Sequence, residues 1–169
     1  MQHFKIILLT IFFLNSLNMF SQIKSSAYKL MLQNLLQHSV NEISVEEAHQ
    51  LQKNNPQVQF LDSRSWREYE VSHVQNALWI GYDDFEICRV ENIDYNTPVV
   101  VYCSVGYRSE KIAEKLLSAG FTQVYNMYGG LFEWSNEKFP MQNSAGLTQN
   151  IHPFDAQWGI WISHGNKVY

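Results

Sequence analysis

The chain has 169 residues, 46% of them hydrophobic and 17% charged, with a formal net charge of −4. That length gives one domain with a sizeable core, and an acidic balance without a basic run argues against a nucleic-acid-binding surface. Two cysteines, Cys88 and Cys103, are too few for a disulfide-built scaffold, and a chain this long does not need one.

Residues 1–21 read as a secretory signal peptide: Lys5 gives a positive start, residues 6–14 are apolar except for Thr10, and Ser21 offers a small residue at a cleavage point. The run is too short for a membrane span, which needs roughly 20 apolar residues. The pattern implies export, with the periplasm as the expected compartment and no lasting membrane insertion once the leader is removed. Residues 22–41 form a helical extension. Leu32, Leu35 and Leu36, with Leu30 and Met31 nearby, make residues 25–38 an amphipathic helix on the domain edge.

Residues 41–43 are short and extended. Ser44 and Glu47 have the capping-box spacing and open a helix through about Lys53, broken by Pro56. Residues 58–61 alternate into a strand that ends at Asp62. Ser65 and Glu68 repeat the capping box for a short helix over residues 66–70. Residues 77–80 are a short apolar strand, and residues 83–90, which begin on two acids, read as a helix. After Pro98, Val99-Val100-Val101-Tyr102 is polar on neither side, as a central strand covered on both faces must be.

Residues 109–119 place Ile112, Ala113, Leu116 and Leu117 on one helical face, and Gly120 stops that helix. Residues 121–127 alternate as a strand. Gly129 and Gly130 then turn into a short helix over residues 131–137, ended before Pro140. Strands alternating with helices specify an α/β fold with a parallel sheet, whose functional groups lie at the carboxyl ends of strands. Asp62 and Cys103 both fall at such ends. Residues 141–169 form a polar tail that carries Phe154, Trp158, Trp161 and Tyr169, so it is expected to pack back on the domain. Trp66, Trp79 and Trp134 are read as core.

Residues 103–109, Cys-Ser-Val-Gly-Tyr-Arg-Ser, stand between the buried strand and a helix start. Backbone N–H groups and the positive helix end converge there and favour thiolate over thiol. The amides of Ser104 through Ser109 are expected to form an anion cradle, with Gly106 letting the loop curl and Val105 and Tyr107 on the rim. Arg108 adds a charge that holds or steers an anion. Asp62 and Arg64 are read either as a structural pair or as support beside the loop, with Glu68 or Glu70 pairing with Arg64. His73 is read as a structural hydrogen-bonding residue. Cys88 is expected to be buried packing, the alternative being a resolving thiol for Cys103. The six histidines lack metal-ligand spacing, and no metal is expected.

These residues resemble the rhodanese family. Cys103 to Arg108, C-x₄-R followed by Ser109, is similar to the family's active-site loop. Upstream, Asp62, Arg64, Glu68-Tyr69, His73-Val74 and Ala77 are similar to its segment D-x-R-x-x-x-E-[YF]-x-x-G-H-[IV]-x-G-A. Downstream, Ala119-Gly120-Phe121, Val124-Tyr125, Gly129-Gly130 and Trp134 continue the likeness. The resemblance covers residues 42–140. Ser72 and Asn76 stand where the family carries glycines.

The resemblance implies a rhodanese-like three-layer α/β/α sandwich around a mainly parallel sheet. It implies a single-domain sulfurtransferase without a cofactor. Cys103 would take a sulfane sulfur from thiosulfate or a related small donor as a persulfide, then pass it to cyanide, a thiol or a protein cysteine. A monomer is the default. Three rivals stand beside it. A phosphatase of the same fold would carry C-x₅-R, one residue longer than this loop. A persulfide carrier or interaction module would turn over little by itself. A thiol–disulfide role is weakened by the lack of C-x-x-C.

Overall fold

The computed structural model describes residues 25–169; the leader reading of residues 1–21 lies outside them. Three serines start helices. Ser25 accepts from Tyr28 N at the head of α1 (Ser26–Leu35). Ser44 and Glu47 exchange side-chain and backbone hydrogen bonds at the head of α2 (Val45–Asn54), and Ser65 and Glu68 do the same for α3 (Trp66–Val71). Each capping box satisfies amides that a helix start otherwise leaves unbonded. Helices α4 (Tyr107–Ser118) and α5 (Gly130–Asn136) begin instead on glycines in the left-handed region, Gly106 and Gly129.

The strands are β1 (Glu42–Ile43), β2 (Gln59–Asp62), β3 (His73–Val74), β4 (Leu78–Trp79), β5 (Val99–Tyr102) and β6 (Val124–Met127), followed in the tail by β7 (Met141–Asn143), β8 (Gly146–Thr148), β9 (Asn150–Ile151) and β10 (Asn166–Lys167). Five of them form a parallel sheet in the order β1-β6-β5-β2-β4. β5 is central, with Leu61 and Asn126 on either side of Val101. Its side chains alternate between two cores. Val100 and Tyr102 pack with Tyr28, Leu32, Ala48, Leu131 and Trp134 from α1, α2 and α5. Val99 and Val101 pack with Ile112, Ala113 and Leu116 from α4. Helices thus cover both faces, in the α/β/α layering expected, and each buried valine contributes about 1.5–3 kcal/mol.

The segment after β4 departs from its sequence reading. Residues 83–90 do not form an α-helix; only a 3-10 turn at Ile87–Val90 is present. The second of the two leading acids, Asp84, is engaged by Arg89 at 2.6 Å, and Arg89 also donates to Ile80 O. That pairing folds the segment back on itself as a turn. Cys88 is consequently exposed, not buried. It lines a shallow depression with Tyr95 and Phe121, which lie just before β5 and β6, whereas Cys103 follows the end of β5. Both cysteines are free thiols, and that placement removes Cys88 as a resolving partner.

Of the three tryptophans read as core, Trp134 is fully buried but Trp66 is 50% exposed, stacked on Tyr69 and set edge-on to Trp79. At the two positions where glycine was expected, Ser72 is fully extended (φ −171°) and needs none. Asn76 takes the left-handed conformation (φ 61°), which asparagine tolerates.

The flanking segments join the main core. Tyr28 of α1 is buried, donates to Gly129 O at 2.9 Å, and stacks on Trp161 of the tail with ring centroids 5.3 Å apart. Ile151 and Ile162 of the tail are buried beside it, and β7 pairs antiparallel with β3. Trp134→Ala should lower the free energy of urea unfolding by about 3–5 kcal/mol. Trp66→Ala, which removes only surface ring contacts, should cost about 1–2 kcal/mol.

Candidate active site

β5 ends at Tyr102, and the chain curls through Cys103, Ser104, Val105 and Gly106 into α4. The conformation of this curl is set by where its carbonyls go. Cys103 O accepts from Leu131 N at 2.8 Å and Ser104 O from Phe132 N at 3.0 Å, both at the start of α5. Gly106 O accepts from Glu110 N and from Asn126 Nδ2, each at 3.0 Å. With these carbonyls turned outward, amides of the curl face the sulfur. Gly106 N donates to Cys103 Sγ at 3.1 Å, and the backbone of Val105 and Ser109 lies so as to favour the ionised sulfur. The approach of α5 requires Gly130: a Cβ there would lie 2.5 Å from Cys103 O and 2.6 Å from Ser104 C. Gly106 (φ 115°) makes the curl possible.

Burial opposes ionisation of the Cys103 thiol. The positive charge of Arg108 and hydrogen bonds from Ser109 and Val105 outweigh it, so the thiol ionises below its ordinary range. Asn126 of β6 clamps the arrangement from behind: Nδ2 holds Gly106 O, and Oδ1 accepts from Ser109 Oγ at 2.7 Å.

Arg108 is held by a carboxylate. Its guanidinium forms a two-pronged pair with Glu68, Nη1 to Oε2 at 2.9 Å and Nη2 to Oε1 at 2.7 Å, and Nη2 also donates to Ser104 Oγ at 3.0 Å. Ser104 Oγ in turn donates to Glu68 Oε1. The same Glu68 carboxylate closes the α3 capping box through Ser65 N and Oγ. Burial raises the carboxyl's affinity for its proton, but Arg108 dominates, with Arg64 and Ser65 assisting, and the pKa falls to about 2. Glu68 therefore does not form the expected pair with Arg64. Arg64 binds Asp62 instead, Nη2 to Oδ2 at 2.6 Å, and donates to Ser72 O at 2.6 Å. Asp62 and Arg64 are fully buried, and their side-chain hydrogen bonds tie the end of β2 to the turn at Ser72, not to the curl. His73 bonds Tyr69 O and Gln142, a structural role.

Cys103, 1% exposed, lies at the floor of a cavity of about 240 Å³. Ser104 and Arg108 line it beside the sulfur; Leu35, Val105, Tyr107, Phe154 and Trp158 form its walls. Tyr107 and Phe154 are exposed at its mouth. Among the described residues, no three His, Cys, Asp or Glu side chains converge as metal ligands would.

Residues 44–137 match the family model of the rhodanese-like domain. The chain belongs to the rhodanese-like domain family. Over 126 residues it is 31% identical to a tRNA uridine(34) hydroxylase of Photorhabdus laumondii, covering 72% of this chain and 36% of that protein. It spans about a third of the length of the curated relatives it matches. Among solved structures it is similar in fold to the rhodanese-like domain of an Anabaena protein (22% identity, TM-score 0.56, 62% of this chain and 80% of that one). It is likewise similar to a thiosulfate sulfurtransferase from Pseudomonas aeruginosa (20% identity, TM-score 0.59, 69% of this chain and 23% of that one).

Sequence reasoning missed Asn126 within the rhodanese-like domain, and Leu35, Phe154 and Trp158, seated on the site from the flanking segments. Asn126 had a signal: one polar side chain on a strand position that must face the interior. Leu35 had none, because nothing local says where α1 docks.

Two outcomes follow from the charges. In a Cys88→Ser background, iodoacetamide should alkylate Cys103 with a pH midpoint below the ~8.5 of a free thiol. Because Glu68 has a depressed pKa, the stability it provides is fully present above about pH 4.5 and is lost as pH falls towards 2. Acid titration of unfolding should show that loss, and Glu68→Gln should flatten it while lowering stability at neutral pH by about 3–5 kcal/mol.

Proposed function

We propose that this protein is an exported sulfurtransferase in which Cys103 receives a sulfane sulfur and passes it to a thiophilic acceptor. The observation that carries this reading is the sulfur itself: it lies at the floor of an open cavity with Gly106 N donating to it at 3.1 Å, in a setting where the backbone of Val105 and Ser109 also favours its ionised form. Amides fixed in this way stabilise a thiolate and the larger, more diffuse Cys103–S–S⁻ alike, without reorganising during the reaction.

In the first half-reaction the Cys103 thiolate attacks the outer sulfur of a donor. The bond joining that sulfur to the rest of the donor breaks, and its electron pair leaves with the departing thiolate, sulfite or sulfinate, or, for mercaptopyruvate, whose C–S bond is the one broken, with the pyruvate enolate, which then takes a proton from water. In the second, an acceptor such as cyanide, a small thiol or a protein cysteine attacks the outer sulfur of the persulfide, and the electron pair returns to Cys103. The attacking sulfur is already anionic, so no general base is required, and no oxidant is consumed. Two separate half-reactions give ping-pong kinetics.

Arg108 acts through the curl and through its charge, since both its prongs are held by Glu68. Export to the periplasm is supported by the leader pattern of residues 1–21. The reaction named for the longer hydroxylase relatives belongs to those proteins. With a net charge of −4, RNA is not among the partners proposed here.

Intact-mass analysis after incubation with thiosulfate, mercaptopyruvate or an organic thiosulfonate tests this. One added sulfur is expected in the wild type and in Cys88→Ser, and none in Cys103→Ser. An unchanged mass with every donor, or a gain that survives in Cys103→Ser, would sink the reading.

A further inference from the structure

We infer that the donor suited to this cavity is an organic sulfane sulfur, a hydropersulfide or thiosulfonate carrying one negative charge and an apolar or aromatic group, in preference to inorganic thiosulfate. The inference rests on the persulfide chemistry proposed above and adds the class of donor.

Charge is the first ground. Among the described residues lining the cavity, Arg108 is the sole ionised side chain besides a Cys103 thiolate. Its guanidinium is matched by a carboxylate through two hydrogen bonds of 2.9 and 2.7 Å, and its remaining reach goes to Ser104 Oγ. Glu68, almost wholly buried, stays ionised through the neutral range, so the pair carries no net charge. The sulfite end of thiosulfate, a dianion, would enter a space whose one cationic side chain among the lining residues already has both prongs bonded to a carboxylate. A donor with one charge places that charge on the sulfane sulfur, where the amides of the curl are.

The walls are the second ground. Leu35, Val105, Tyr107, Phe154 and Trp158 surround the approach to the sulfur. Three of them, Leu35, Phe154 and Trp158, lie outside the 44–137 segment that matches the family, so this apolar lining belongs to the chain's own flanking segments.

Phe154 is the third ground. Its backbone is in the left-handed region (φ 67°), which costs an L residue roughly 1–2 kcal/mol. Its amide is fixed by His152 Nδ1 at 3.0 Å. The residue is 53% exposed, and its ring centroid lies 5.4 Å from the Arg108 guanidinium. An aromatic ring that is both strained and half in solvent contributes little to the core. Where it stands, it covers the charged pair with an apolar surface at the mouth of the site. Strain held in this manner clusters at ligand-binding positions.

For benzenethiosulfonate the balance is simple. The Cys103 thiolate attacks the sulfane sulfur, the bond to the sulfonyl sulfur breaks, and benzenesulfinate leaves with the electron pair. The phenyl group lies against Phe154 and Trp158.

The test compares benzenethiosulfonate, methanethiosulfonate and thiosulfate as donors with cyanide as acceptor, reading thiocyanate formation and the mass of Cys103. Methanethiosulfonate keeps the reactive group and lacks the ring, so it separates intrinsic reactivity from binding. The wild type should use benzenethiosulfonate with a kcat/KM at least about tenfold above methanethiosulfonate, and thiosulfate should be the poorest donor. Phe154→Ala and Trp158→Ala should each lower the benzene-to-methane ratio several-fold. Equal use of the two thiosulfonates, or thiosulfate as the best donor, would overturn the donor class while leaving the persulfide chemistry standing. Because the wild-type comparison is decisive without either variant, misfolding of a variant does not blunt it. No sulfur gained at Cys103 from any of the three would overturn the underlying reading itself.

Discussion

The start of α5 lies against the carbonyls of Cys103 and Ser104, and much of the site depends on that contact. A peptide unit has its C=O and N–H on opposite sides, so drawing two carbonyls towards Leu131 N and Phe132 N turns the amides of Ser104 and Val105 the other way and sets the course of the chain into Gly106, whose amide bonds the sulfur. The cradle around the sulfur is therefore a product of helix docking as much as of the curl itself. The docking distance allows no side chain at residue 130, since a Cβ would overlap backbone atoms that cannot move aside. Asn126 performs the same service one strand away, taking up Gly106 O from the far side.

Glu68 joins two jobs that are usually separate. One carboxylate finishes the first turn of α3 and also fixes Arg108 and Ser104. Buried ion pairs are weak sources of net stability but set geometry firmly, because removing one partner strands the other. Here the geometry fixed is that of the curl relative to a helix from a different part of the sheet. The Asp62–Arg64 pair does comparable work behind it, at the end of β2.

Much of this was legible in the residues. Both capping boxes form where Ser44 and Ser65 put them, because the interaction is local and spans three residues. The run Val99 to Tyr102 has no polar face, and only a central strand between two helical layers accommodates that. The illegible parts are those where a distant partner decides. Residues 83–90 look helical until Arg89 takes Asp84. Cys88 looks buried until that segment turns outward. The partner of Arg108 was out of reach because Glu68 lies 40 residues away in sequence. Wall residues from α1 and the tail carry no local mark of where they dock.

The stacking of Tyr28 on Trp161 joins the two flanking segments directly. A contact between positions so far apart in sequence closes most of the chain into a single loop, and the entropy lost on closure grows with loop length. That loss is smallest once the sheet already holds both segments near its carboxyl edge. The enclosure around Cys103 is thus shared between the first and last described segments of the chain, which meet beside it.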